Sequence, residues 1–332
     1  MTGADACWPQ RLGRGQPQRR DRAMDVSWIF ITVLTVLVAM VVLSYIVEAL
    51  RSAPKRPERL VWAPTIPVEY VDLGGMKVRC IRTGVGPNLV LLHTLRTQLD
   101  IFQKIIPELE KRFTVHAFDY PGHGWSDIPK ATYAPEDFYQ WAAAYLDRID
   151  IRQATIVGIS IGATISLVLA ARQNPRVTRV IAVNPYDYWP AGGIRKSSLA
   201  ARLVLTPSGV PILGATIMRL RNRYVSDRIF EGGLAAPEAL TKELAQELYE
   251  VGARLGHYQG FLSLWLTSDC GQKPATSTPA SRSRFCLSMA IRIGRHSWKG
   301  NARAHSYRMS RSRLCVMAIT FSHWTVRENC SI

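Results

Sequence analysis

The stretch A-T-I-V-G-I-S-I-G-A-T-I-S-L-V-L-A-A-R, residues 154–172, constrains the fold more than any other part of this chain. Its first six residues are apolar or β-branched and read as a strand. From Ile161 onward the composition reads as a helix. Only Ser160 separates the two, so the backbone must turn sharply there. Such a turn strains the serine and pushes its Oγ out above the sheet. Gly158 and Gly162 make the turn possible, because a β-carbon at either would crowd the neighbouring strand or helix. The helix start aims its free N–H groups at the same point. Ser160 is therefore a candidate nucleophile, and the Ile161 N–H a candidate oxyanion donor. The pattern G-x-S-x-G is weak alone; the strand before it and the helix after it carry the reading.

The rest of the domain keeps this rhythm. V-E-Y-V-D-L-G-G-M-K-V-R-C-I reads as a hairpin turning at Gly74-Gly75. N-L-V-L-L-H (88–93) is a short apolar strand, followed by a helical stretch to Lys111. F-T-V-H-A-F-D (113–119) is the next strand, then a helix at about 135–148 and a strand at 177–185. Strands alternating with helices predict an α/β domain with a mainly parallel, doubly wound sheet over residues 67–187. Residues 188–265 have helical composition and interrupt the alternation, as an inserted lid would. Tyr186, Tyr188 and Trp189 are candidate pocket-lining residues.

Three segments together, L-V-L-L-H, F-D-Y-P-G-H-G-W-S-D (118–127) and V-G-I-S-I-G, resemble the α/β-hydrolase superfamily over about residues 68–265. The resemblance implies an esterase-like serine hydrolase that cleaves a small-molecule acyl or ester substrate through an acyl-enzyme. It calls for no cofactor and no metal. It implies a structural role for the Asp119, Pro121, Gly122, Gly124 and Ser126 loop, and so for His123. A second oxyanion donor should come from the loop after the 88–93 strand, assigned to the Leu95 N–H. The family usually has glycine where Thr94 stands, and a glycine there eases the backbone into that loop. Serine at the nucleophile position separates this chain from the dehalogenase and epoxide-hydrolase branches, which use Asp.

Two patterns that the resemblance implies are missing after residue 265. The chain order should be Ser, acid, His, with the acid in a Gly-Asp-x-Asp loop and the base in a Gly-His turn. Asp187, in N-P-Y-D, is an alternative acid, with a loop cap as its plainer reading. His257, His296, His305 and His323 stand in no such turn. Residues 266–332 are rich in Ser, Arg and Cys and lack periodicity. Joining the third base of each codon to the first two of the next gives a different text. Met289-Ala290 must then encode Gly, Phe285-Cys286 Leu, Met317-Ala318 Gly, His323-Trp324 Leu and Trp324-Thr325 Asp. Neighbouring codons permit V-L-F-V-Y-G-D-x-D-W and G-H-H-F-L-S-L-D, with acid and base 28 residues apart. A shifted frame near residues 265–270 is the expectation, set against a divergent natural tail. As written, the chain has a nucleophile and an oxyanion cradle but an incomplete triad, which leaves a catalytically inactive hydrolase-fold protein as the alternative. Loss of the last strands should leave an irregular, disordered tail and an exposed sheet edge.

The ends carry their own signals. Residues 1–25 are Arg-rich and polar and read as disordered. Trp28 to Val47 is an uncharged apolar run, long enough at about 1.5 Å per residue to span a bilayer core as a transmembrane helix. A signal-peptide core or a buried helix is the plainer alternative. Basic residues flank the run on both sides. Translation from Met24 would leave only the second flank and a cytoplasmic domain. Residues 51–66 read as a Pro-rich linker. Of the net charge of +17, +9 lies in residues 266–332, with 11 Lys or Arg against 2 acids. That basic tail aside, the domain has no nucleic-acid character. Four of the six cysteines lie in the tail without C-x-x-C spacing, so neither zinc nor a disulfide framework is indicated.

Overall fold

A computed structural model describes residues 20–51, 54–185, 199–210, 212–232, 234, 237–260, 262, 305–308 and 315–319. The chain divides into two units, 1–43 and 44–332. The first unit is described by helix α1 (Arg20–Ala49), whose last turns belong to the second unit. The helix begins within the segment expected to be disordered. Once the apolar run is helical, each added residue fixes one more hydrogen bond at little cost. Val26–Ala49 is long and apolar enough to cross a membrane, a test that a signal sequence also passes.

The second unit is built on a sheet with eight strands among the described residues: β1 (Glu69–Asp72), β2 (Lys77–Thr83), β3 (Asn88–Leu92), β4 (Thr114–Phe118), β5 (Ala154–Ile159), β6 (Val177–Val183), β7 (His305–Arg308) and β8 (Cys315–Ile319). Their order is β1-β2-β4-β3-β5-β6-β8-β7. The pairs β4/β3, β3/β5, β5/β6 and β6/β8 are parallel, and β1/β2, β2/β4 and β7/β8 are antiparallel. This is the expected α/β sheet, mixed at both ends. Gly74 and Gly75, at φ 66° and 88°, make the first hairpin turn.

The central strands carry apolar residues on both faces because helices cover both. Val90 and Leu92 of β3 point into one core with Phe118, Phe138, Tyr145, Ile165 and Leu169. Leu89 and Leu91 point into the other, with Val115, Ala117, Phe102 and Ile106. Helix α3 (Pro135–Arg148) buries Phe138, Trp141, Ala142, Tyr145 and Leu146, the spacing of one helical stripe. Pro135 opens it, and the Asp137 carboxylate accepts the Ala134 N–H at 2.9 Å. Helix α4 (Ile161–Ala171) follows the elbow and is buried almost throughout.

Three expectations need correction. The stretch to Lys111 is not one helix but a 3₁₀ turn (Leu99–Phe102) and the short α2 (Ile106–Leu109). Asp119 pins the chain at the Leu99 N–H (2.7 Å), and Pro107 starts a helix rather than continuing one. The Pro-rich segment is not a free linker: Leu60 and Ile66 are buried in the second core. The tail is not wholly irregular either. C-V-M-A-I pairs along the open edge of β6, whose unpaired backbone groups accept a fifth parallel neighbour, and β7 adds to it as a hairpin. The remainder of residues 266–332 lies outside the described residues, as do residues 1–19.

Helices α5 (Leu199–Leu205), α6 (Leu213–Arg219), α7 (Arg223–Glu231) and α8 (Lys242–Gly252) follow β6. They have a small core of their own, Ala201, Leu205, Met218 and Tyr258. The last turns of α1 dock on it. Arg219 donates to Ser44 Oγ and lies over the Tyr45 ring, and Arg221 pairs with Glu48 at 2.7 Å.

Candidate active site

Ser160 sits between β5 and α4 with φ 56° and ψ −112°. A β-carbon residue rarely adopts this region, so the expected strain at the elbow is present. The geometry is over-determined on both sides. The Ser160 N–H donates to the Val183 carbonyl at 2.9 Å, and its own carbonyl accepts the Thr164 N–H at 3.0 Å. A β-carbon on Gly158 would collide with the Gly162 carbonyl, and one on Gly162 with the Leu92 carbonyl. The two glycines let β5, α4 and the end of β3 meet at backbone distance.

That close approach brings the loop after β3 to the start of α4. His93 is fully buried and holds this loop. Its Nδ1–H donates to the Thr94 carbonyl at 2.7 Å, and its Nε2 accepts the Tyr120 N–H at 3.0 Å. Burial lowers its pKa to about 3, so the ring is neutral and both nitrogens are committed. The left-handed residue of the loop is Arg96, at φ 56°, not Thr94. The glycine-like conformation expected at Thr94 thus falls two residues later. Thr94 instead uses its carbonyl as an acceptor for His93 and the Thr97 hydroxyl, at 2.7 and 2.8 Å. Leu95 and Ile161 share one buried cluster. Among the described residues neither of their N–H groups donates to a backbone carbonyl.

The D-Y-P-G-H-G-W-S loop supports this arrangement without entering it. Asp119 is buried and accepts the Leu99 and Trp125 N–H groups at 2.7 and 2.9 Å. Burial raises its pKa to about 6, against the opposing pull of Arg79. Ser126 Oγ accepts the Arg79 N–H and donates to the Asp119 carbonyl. Gly122 and Gly124, at φ 80° and 50°, have no room for a side chain beside Tyr133 and the Asp119 carboxylate. His123 is buried 5.6 Å from the His93 ring, and burial lowers its pKa to about 4.

Sequence reasoning missed the ion pair beneath this loop. Arg79, 1% exposed, donates to both Asp100 oxygens at 2.6 and 3.3 Å and reaches Asp119 at 3.5 Å. Gln98 links Asp100 to Glu247 of α8, which also accepts the Trp125 indole N–H at 2.7 Å. An arginine inside an apolar strand was the available signal, since a buried charge demands a partner.

Ser160 Oγ is half-buried and has no histidine hydrogen-bonded to it among the described residues. His257 lies near His123, its ring 6.4 Å away. Asp187, Tyr186, Tyr188, Trp189, His296 and His323 lie outside the described residues, and His305 is described only as strand backbone.

A strand order of this kind, with a strained serine between strand and helix and the loop after β3 against the helix start, is that of the α/β-hydrolase fold. Residues 87–214 match the alpha/beta hydrolase fold family. An uncharacterized protein of Mycobacterium tuberculosis is 32% identical over 155 residues, 46% of this chain and 43% of that protein. The 2-(acetamidomethylene)succinate hydrolase of Mesorhizobium japonicum is 31% identical over 118 residues, 36% of this chain and 42% of the hydrolase. The chain therefore spans less than half the length of these curated relatives. The crystal structure of Cfl2 from Burkholderia cenocepacia superposes with a TM-score of 0.59 at 19% identity, covering 71% of this chain and 80% of Cfl2. The chain has the α/β-hydrolase fold, and residues 87–214 are similar to that family.

Proposed function

We propose that this chain is by descent a membrane-anchored serine hydrolase of acyl esters. The strained backbone of Ser160, held between two glycines that admit no β-carbon, carries the reading. Ser160 Oγ attacks the ester carbonyl and its proton passes to a base. The tetrahedral oxyanion is held by the Leu95 and Ile161 N–H groups, and the C–O bond to the alcohol breaks. Water then hydrolyses the acyl-enzyme. The Mesorhizobium relative is named a hydrolase, which supports hydrolytic chemistry in this lineage. The helical segment 188–265 acts as a lid over the acyl pocket, and the apolar helix at 28–47 is the anchor. Asp187 remains the alternative acid.

The second reading, a catalytically silent hydrolase fold, is favoured by the absence, among the described residues, of a histidine hydrogen-bonded to Ser160. Removing a triad member leaves only oxyanion and binding effects. The test uses two full-length chains in detergent, one as written and one with the frame restored from codon 265. We expect Ser160-dependent fluorophosphonate labelling and esterase turnover in the restored chain, with turnover lower by orders of magnitude in the chain as written. Absence of labelling in the restored chain would sink the nucleophile assignment. Equal turnover in both would sink the silent reading.

A further inference from the structure

The last turns of α1, from Ser44 on, are held by the helices that follow β6. Ser44 and Glu48 are buried. Arg219 donates to Ser44 Oγ, and its guanidinium lies 3.8 Å from the centre of the Tyr45 ring. The Glu48 carboxylate is shared. It accepts Arg51, Arg221 and the Gly256 N–H at 3.0, 2.7 and 2.9 Å. Arg51 reaches back to the Arg219 and Arg221 carbonyls at 2.9 and 3.0 Å. Charge-assisted bonds of this number fix the end of α1 to those helices. Ser44 to Ala49 also belong to the stretch Val26–Ala49 that is long and apolar enough to cross a membrane. A bilayer that takes up this stretch therefore ends where the helices after β6 are bonded to it.

The surface of those helices differs from that of the sheet domain. Among the described residues, eight large apolar side chains are exposed in 199–255, against two, Val85 and Ile105, in the longer segment 67–185. Helix α5 turns Ala201 and Leu205 into the small core. Its other side exposes Leu199, Arg202 and Leu203, which the i, i+3, i+4 spacing places on one stripe. A helix that meets water on one side carries polar residues there; one that is apolar on both sides is covered on both. Val210 and Ile212, also exposed, lead into α6, whose far end carries Arg219. The joint itself is flanked by apolar groups. Leu255, 54% exposed, directly precedes Gly256, and Leu50, 79% exposed, directly precedes Arg51. Charge complements this pattern, because residues 199–231 hold five arginines against two acids, Asp227 and Glu231. Apolar side chains set among arginines suit a surface that lies in the headgroup layer of an anionic bilayer.

We propose that the face bearing Leu203 and Leu255 seats in the headgroup layer of an anionic lipid bilayer, so that the helices after β6 lie on the membrane. The proposal rests on the anchor reading of the apolar helix and adds a second contact to it. The test uses the full chain with every cysteine except the buried Cys80 changed to serine, in vesicles of phosphatidylcholine and phosphatidylglycerol. A fluorophore is attached at Leu203→Cys, at Leu255→Cys or, as the reference, at Val85→Cys between β2 and β3. Each site is exposed, so the label disturbs no packing. Nitroxide-labelled lipid should quench the first two labels about twofold more than the reference, because an apolar face of this kind enters the bilayer boundary by about 5–10 Å. Flotation of the same vesicles reads the anchor separately. A chain that floats but is quenched equally at all three sites overturns the proposal and leaves the anchor standing. A chain that does not float overturns both. Labels at 203 and 255 shielded from aqueous iodide yet untouched by nitroxide lipid show protein on this face and overturn the proposal as well. Shielding that grows with protein concentration then identifies a second copy, and shielding that does not identifies the chain's own residues.

Discussion

Gly162→Ala isolates the contact that builds the site. The position lies in the first turn of α4, where alanine is intrinsically favoured over glycine by about 1 kcal/mol in a helix. The new β-carbon would stand 2.7 Å from the Leu92 carbonyl carbon and 2.8 Å from the His93 carbonyl oxygen, where ordinary contact begins at 3.4 Å. The Leu92 carbonyl oxygen lies closer still, so helix and strand must separate by about 1 Å, and the neighbours are backbone, which cannot rotate away. Overpacking of this kind costs about 1–3 kcal/mol, and rigid neighbours put it at the upper end. The net expectation is a loss of about 2 kcal/mol, with the His93 loop displaced from the start of α4. Gly252→Ala is the matched control. It is the last residue of α8 and a β-carbon there meets nothing within 4 Å. It should be neutral or stabilising by about 0.5 kcal/mol. Urea unfolding followed by tryptophan fluorescence reads both. A Gly162→Ala chain as stable as its parent would refute the backbone contact between α4 and β3.

Three further outcomes are expected. Acidification should destabilise the domain. His93, His123 and His257 are held neutral by burial, so below about pH 6.5 the unfolded chain binds protons that the folded one does not. Each costs about 1.4 kcal/mol per pH unit. Asp119, raised to about 6, acts in the opposite sense and gains stability as pH falls through that value. With His116 also held neutral by burial and Glu247 also raised, four against two leaves a net loss of stability as pH falls from 6 to 4. Urea midpoints that hold steady or rise over that range would contradict it. Ser160→Gly should end fluorophosphonate labelling of the restored chain yet raise stability by about 1 kcal/mol, because glycine relieves the elbow; a stability loss would argue against strain there. Arg79→Met should cost about 3–5 kcal/mol by leaving Asp100 and Asp119 buried without their counter-charge, and a loss below 1 kcal/mol would show that water reaches the pair.

The parts of the fold that were legible in the sequence are those set by short-range chemistry. Strand β5 and helix α3 fall at the residues that local composition indicates. The turn at Gly74-Gly75 and the elbow at Ser160 follow from residues that only tight backbone geometry explains. The stretch after β3 was misread because its composition suits a helix while Asp119, some twenty residues on, holds it in another shape. Strand β8 was missed for the same kind of reason. C-V-M-A-I has no helical or alternating pattern to announce it, and what recruits it is the open edge of β6.

By itself the sequence determined that residue 160 had to be a strained serine between a strand and a helix, because the flanking glycines and the change of periodicity are local facts. Only the tertiary structure decided what surrounds that serine. His93 became the neutral strut of the loop after β3 because Tyr120 reaches it across 27 positions. Glu247 joined the core because Trp125 and Gln98 turn donors toward it. Arg221 is held because Glu48, 173 positions away, turns a carboxylate toward it. Burial and pairing depend on which distant groups share a low-dielectric space, and a linear pattern does not encode that.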